Sequence, residues 1–182
     1  MDSRAAYTVL VGLVAAERAV EVVVARRHDV ALRAAGGVEE GSAGYPWMVA
    51  LHTALPLACL AEVWGLRRPW IGPLAAVMLA AMAVAMGLRA WSVAALGPRW
   101  TTRVLVVPGS RPVTSGPYRW LRHPNYLAVL IEVAALPLVH TAWITAVAFS
   151  VLNGMLLRAR IRVEEAAMSR WCGAASGTGG RA

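Results

Sequence analysis

The chain has 182 residues, of which 58% are hydrophobic and 15% charged. Soluble domains carry about 25% charged residues, so this composition excludes an ordinary water-soluble domain and points to a single membrane-embedded one. The net charge of +8 comes from 18 Arg and no Lys. The Arg lie between long apolar runs, a pattern of membrane flanking rather than of a phosphate-binding stripe, so no nucleic-acid partner is expected. Cys59 and Cys172 form neither a metal-ligand spacing nor a disulfide framework.

The elements follow in chain order as an all-α integral membrane protein. A span needs about 20 residues. Tyr7–Ala25 is the first candidate, although it carries Glu17, Arg18 and Glu21. With those charges and no basic leader, it does not read as a cleavable signal. Tyr45–Leu66 is the second span and Trp70–Leu96 the third. The stretch 97–123 is too long and Arg-rich to span; around Pro108-Gly109 it alternates polar and β-branched residues, which predicts a short extended hairpin or ordered loop. Residues 125–161 are apolar for longer than one helix needs, and Pro137, His140 and Thr141 can break them. The expected result is about five transmembrane helices, the last two a helical hairpin (125–138 and 141–168). Residues 1–172 form one domain with a core at about 97–172, followed by a Gly/Ala/Ser-rich tail, 173–182, expected to be disordered.

Arginine placement predicts orientation. Five spans put Arg26, Arg27, Arg33, Arg99, Arg103, Arg111, Arg119, Arg122, Arg158, Arg160, Arg162, Arg170 and Arg181 on one side and Arg4, Arg67 and Arg68 on the other. The positive-inside rule then places the N-terminus outside and the C-terminus in the cytoplasm. In that frame Glu17, Arg18, Glu21, His52, Arg89, Glu132 and Asn153 lie at similar depth in five helices, which predicts a polar chamber open to the cytosol; Glu62 lies toward the outside. Each residue alone has a plainer reading: Arg18–Glu21 as an i,i+3 pair, His52 and Arg89 as side chains reaching the interface.

Residues 114–126 read Thr-Ser-Gly-Pro-Tyr-Arg-Trp-Leu-Arg-His-Pro-Asn-Tyr. Gly116-Pro117 predicts a turn, and Pro124 suits the first turn of a helix. His123 would then stand at a helix N-terminus, which favours an anion such as a ligand carboxylate. Farther on, Arg158 to Glu165 forms a charged helix end, with Asn153, Arg160 and Glu164 on one face and Arg158, Arg162 and Glu165 on another. A solvated, salt-bridged helix end would look the same.

Gly116-Pro117-Tyr118-Arg119, Arg122-His123-Pro124-Asn125-Tyr126, an apolar hairpin and Arg162-Val163-Glu164-Glu165, in that order, resemble the isoprenylcysteine carboxyl methyltransferase family and its phospholipid methyltransferase relatives. The clear likeness covers roughly 100–173. The earlier part, with Gly36-Gly37-Val38-Glu39 and Tyr45-Pro46, is similar to a bacterial branch often associated with type III polyketide synthases. The resemblance implies a membrane methyltransferase using S-adenosyl-L-methionine, held by His123, Pro124, Tyr126 and one or both of Glu164 and Glu165; Arg160, on the face of Glu164, is a further candidate because an Arg suits the cofactor's carboxylate. Glu132, Arg89 and Asn153 become the candidates for the acceptor side. The implied substrate is lipophilic and drawn from the membrane lipid, an alkylpyrone- or alkylresorcinol-type polyketide methylated on oxygen, with a functional link to a type III polyketide synthase. A prenylated or lipidic carboxylate, or a lipid amine, is the alternative. Beyond the Glu pair this chain departs from the family: Met168, Cys172 and Gly173 echo its usual continuation, but no Tyr follows. That departure keeps open an inactive membrane protein that binds a lipid or a partner.

Overall fold

Asp2 starts the first helix by accepting a hydrogen bond from the Arg4 backbone N–H at 3.2 Å. This helix, α1, covers Ser3–Ala34 in the computed structural model, which describes residues 2–172. The tail expected to be disordered, 173–182, lies outside the described residues. α1 corrects one expectation. Residues 26–34 continue the helix instead of forming a loop, because no Gly or Pro interrupts the chain between Gly12 and Gly36. The helix stops where Gly36 takes a φ of +82° and the Gly37 N–H donates to Leu32 O at 2.8 Å, a left-handed cap.

Strand β1 (Val38–Glu40) follows, then a 3₁₀ turn at Ser42–Gly44 and α2 (Tyr45–Gly65), with Pro46 in its first turn. α3 covers Gly72–Leu96, with Pro73 in its first turn. The extended segment after it does not pair with itself, as the hairpin expectation had it. Pro108-Gly109 does turn, with Ser110 N–H donating to Val107 O at 3.1 Å. However, β2 (Val104–Val106) pairs antiparallel with β1, Val38 opposite Val106 and Glu40 opposite Val104. α4 (Pro124–Leu138) and α5 (Trp143–Cys172) form the expected hairpin. Its turn is set by Pro137, by Thr141 at φ +54°, and by a bond from Ala142 N–H to Pro137 O of 3.0 Å.

Among the described residues, three helical stretches are long and apolar enough to cross a membrane: Ser42–Gly65, Gly72–Arg99 and Trp143–Cys172. α4 is a shorter apolar helix. α1 is long enough but carries mid-helix charges. The outward faces are apolar, with Leu13, Val20, Leu57, Val77, Val84, Val147 and Val151 all exposed. Meanwhile Ser92, Glu132, His140, Thr145 and Asn153 are buried. A soluble bundle has the opposite arrangement; this is the surface of an all-α membrane protein.

The main core joins Tyr7 and Val11 of α1, Leu55, Cys59 and Val63 of α2, Met82 of α3, Val133 and Leu136 of α4, and Leu157 of α5. A second, smaller core packs Val104 and Val106 against Ala167, Val163 and Trp171, so the last turns of α5 carry the β ribbon. The molecule therefore has a hairpin end, at the α4–α5 turn, and a ribbon end.

Candidate functional site

Gly116 places the His-Pro segment. Its φ is +58°, and a Cβ there would sit 2.8 Å from Ala95 Cβ and 3.2 Å from Trp91 Nε1. The turn Gly116–Arg119 thus lies directly on α3. His123 is then the N-cap of α4, outside the helical conformation, and Pro124 occupies the first turn. This matches the sequence expectation, and it brings the start of α4 beside the end of α5.

There the residues of the two motifs meet. The Tyr126 hydroxyl donates to Glu164 Oε2 and accepts from Arg160 Nε at 2.8 Å. The His123 and Tyr126 rings stack with centroids 5.4 Å apart, and His123 Nε2 is 3.4 Å from Glu165 Oε1. Arg160 also donates to Thr102 O at 2.8 Å and points Nη1 at Met48 Sδ, 3.7 Å away. Its guanidinium lies over the Tyr126 ring at 5.8 Å. Burial first, and then the Glu164 charge, push the Tyr118 hydroxyl up to about 12, so it stays a neutral donor near that carboxylate.

Sequence reasoning missed several groups here. The Asn125 Oδ1 is buried with no partner, although the residue sits inside the motif itself. Tyr45 hydrogen-bonds Thr102 Oγ1 at 3.2 Å, and Arg103 lies 4.1 Å over the Tyr45 ring. Arg103 is held by Glu39 at 2.5 Å and by Asp29 at 3.5 Å. The Asp29 side chain also accepts from Thr101 Oγ1, and His28 Nδ1–H donates to Trp100 O at 2.7 Å. The helical extension of α1 thus clamps the segment leading into β2. Such contacts join residues far apart in the chain, and no local pattern announces them.

The mid-span charges form a separate group. Arg89 donates to Glu21 through Nε at 2.7 Å and Nη2 at 2.5 Å. Arg18 pairs with Glu21 and, at 3.2 Å, with Glu17. Its Nε lies 3.2 Å from Glu132 Oε1, close enough for charge attraction but not aimed as a hydrogen bond. Five of the seven residues expected in one chamber join in a single network: Arg89 pairs with Glu21, Glu21 with Arg18, and Arg18 with Glu17 and Glu132. His52 donates to Met48 O of its own helix at 2.9 Å and does not join, and Asn153, 1% exposed, has neither side-chain polar atom partnered. Glu132, Arg89 and Asn153 therefore do not contact one another through hydrogen bonds or ion pairs. Along α4, Glu132 lies six residues from Tyr126, about 9 Å at ~1.5 Å per residue.

Among the described residues no cluster of His, Cys, Asp or Glu could hold a metal ion. A wall of the ribbon end is formed by a cleft of about 310 Å³ between Glu39–Met48 and α5, lined among others by Arg103, Leu156, Ala159 and Arg160.

Two known proteins are similar to this chain in sequence. The chain is 36% identical over 169 residues to the uncharacterized protein YpbQ of Bacillus subtilis (strain 168), covering 91% of this chain and 98% of that one. It is 27% identical over 144 residues to an uncharacterized protein of Haemophilus influenzae, covering 79% of this chain and 83% of that one. The model of the isoprenylcysteine carboxyl methyltransferase family matches residues 76–170, which span α3, the His-Pro-Asn-Tyr turn, the hairpin and the Glu pair that Tyr126 joins. With the matched segment coinciding with this cluster, the chain belongs to the isoprenylcysteine carboxyl methyltransferase family, a family of membrane methyltransferases.

Proposed function

We propose that this protein transfers a methyl group from cytosolic S-adenosyl-L-methionine to a lipophilic acceptor taken from the bilayer. The observation that carries the reading is the meeting of His123, Tyr126, Arg160, Glu164 and Glu165 where α4 begins and α5 ends. The donor set suits this cofactor. Glu164 and Glu165 answer its cationic groups, and the stacked His123–Tyr126 pair offers an aromatic face to a cation. Its carboxylate suits the start of α4, where Pro124 leads the helix. The buried, partnerless Asn125 Oδ1 accepts one N–H or O–H more than the protein supplies. When bound, the cofactor supplies a methyl group activated by its sulfonium.

The protein's own share is positioning. Arg160 and Glu164 hold the Tyr126 hydroxyl between them, which fixes its ring against His123. Asn153, buried and unpartnered, is proposed to hydrogen-bond the acceptor. Glu132 and Arg89, each tied to a counter-charge on α1, are proposed to hold the helices beside the acceptor's route. The acceptor proposed first is an alkylpyrone- or alkylresorcinol-type polyketide methylated on oxygen, with a type III polyketide synthase as its source. A lipidic carboxylate is the second reading, favoured by the family itself.

The test is cofactor binding. Calorimetry in detergent should show His123→Ala and Glu164→Ala binding S-adenosyl-L-methionine about ten- to a hundredfold more weakly, as the loss of one charged partner implies. Variants that bind as the wild type does would remove these residues from the pocket. Methylation assays with an alkylpyrone and with a prenylated cysteine peptide then separate the two acceptors.

A further inference from the structure

We propose that the cleft between residues 39–48 and α5 binds the acidic oxygen head of the acceptor, with its apolar tail lying along α5. This rests on the methyltransferase reading above, but it concerns a wall that the family match does not include, since that match begins at residue 76. The cleft is about 310 Å³, at the lower end of the usual range for small-molecule pockets, and it shares Arg160 with the His123–Tyr126–Glu164 cluster. Whatever it holds therefore lies next to that cluster.

Charge accounting points to the head. Glu39 is matched by Arg33 and Arg103, Asp29 by Arg103, and Glu40 by Arg170. Arg160 has no carboxylate within ion-pair distance among the described residues. Its Nη1 faces the Met48 thioether, a weak acceptor, at 3.7 Å. An anionic oxygen, from a carboxylate or an ionised enol, would give that nitrogen the strong partner it lacks. The apolar side points to the tail. Leu156 and Ala159 line the cleft, and Leu152 and Met155, 50% and 66% exposed, continue the same helix outward. A chain laid there stays in hydrocarbon while its head reaches Arg160.

The segment that closes the cleft is tightly placed. Gly41 has a φ of +64°, and a Cβ there would come 2.6 Å from Val163 Cγ1. The turn thus rests against α5, so changes in residues 42–48 would alter which heads fit.

The experiment uses the full chain in phosphatidylcholine nanodiscs without cofactor, with a diazirine-bearing palmitic acid as the photo-crosslinking probe. Crosslinks on residues 42–48 and 152–163 are expected, competed by palmitate or by a 6-alkyl-4-hydroxy-2-pyrone but at least tenfold less well by hexadecanol. Palmitate and pyrone then distinguish carboxylate from enol. Ala159→Trp and, at the rim, Ala43→Trp should each reduce this labelling at least fivefold while S-adenosyl-L-methionine binding stays within twofold. Equal competition by hexadecanol, full labelling of both variants, or a matching loss of cofactor binding would each overturn the proposal. Absence of cofactor binding by the wild type, with this labelling intact, would instead sink the methyltransferase reading and leave the cleft as a site for an acidic lipid head.

Discussion

Glu39 accepts hydrogen bonds from Arg33 at the end of α1 and from Arg103 beside β2. Burial alone would raise its pKa, but these two guanidiniums outweigh burial and hold the carboxyl below its ordinary value of 4.5. A lowered folded-state pKa adds stability above the unfolded value, and that stability is lost as pH falls through the folded one. The ribbon end should therefore loosen below about pH 4.5, and less so in Glu39→Gln, which has no charge to lose. Thermal unfolding in detergent at pH 6 and pH 4 measures this; an equal pH effect in both proteins would remove Glu39 from the linkage. Glu132 makes a different argument. Its neighbour Arg18 keeps Glu17 and Glu21 when the Glu132 charge is removed. Glu132→Gln should thus lower stability yet leave turnover per folded molecule within about twofold across pH, since removal of a true general base costs about 10²–10⁴-fold. A tenfold loss together with a changed pH profile would make Glu132 the base that accepts the acceptor's proton.

Helix ends illustrate how much of the architecture a linear reading can reach. Glu62 caps α5 from another helix: it accepts from Ile144 N–H at 3.2 Å, from Thr145 N–H at 2.7 Å and from Thr145 Oγ1 at 2.7 Å, while Arg68 holds it at 2.5 Å. A carboxylate at a helix N-terminus is favourable in itself, and this one also fastens α2 to the hairpin. Glu62→Ala should cost about 3 kcal/mol, the lower end for breaking a buried pair, with Glu62→Gln retaining part of it. Equal unfolding midpoints in a denaturant titration would disprove the clamp. The sequence announced Glu62 only as a charge in an apolar run. The helices themselves were legible because long apolar stretches and Pro or Gly punctuation are local signals, as at Pro124 and Pro137. The β1–β2 pairing was not, because three-residue strands carry too little alternation to name a partner 64 residues away, the Glu40–Val104 separation. The same divide runs through the site. His123, Tyr126, Glu164 and Glu165 lie in a recognisable motif, whereas Tyr45, Thr102 and Met48 reach Arg160 or its neighbours only through the tertiary fold.

Across the whole molecule the tryptophans mark two levels. Trp64, Trp70 and Trp143 are exposed at the hairpin end, and Trp47, Trp91 and Trp120 at the ribbon end. Trp47 and Trp64, 17 residues apart on α2, are separated by about 26 Å at ~1.5 Å per residue, close to the ~30 Å of a hydrocarbon core. Aromatic belts at both interfaces would produce this spacing. The arginines then break the symmetry. Arg4, Arg67 and Arg68 belong to the hairpin end, while the ribbon end carries Arg26, Arg27, Arg33, Arg99, Arg103, Arg111, Arg119, Arg122, Arg158, Arg160, Arg162 and Arg170. Short flanking segments rich in Arg stay in the cytoplasm, so the ribbon end should face inward and the N-terminus outward. This matters for chemistry, because S-adenosyl-L-methionine is cytosolic and the His123–Glu165 cluster lies at the ribbon end. In a chain whose Cys59 and Cys172 are replaced by Ala, Leu66→Cys should react with a membrane-impermeant maleimide on intact cells. Ala43→Cys should react only after permeabilisation. Labelling of Ala43→Cys from outside would invert the topology and, with it, cut the proposed pocket off from its cofactor.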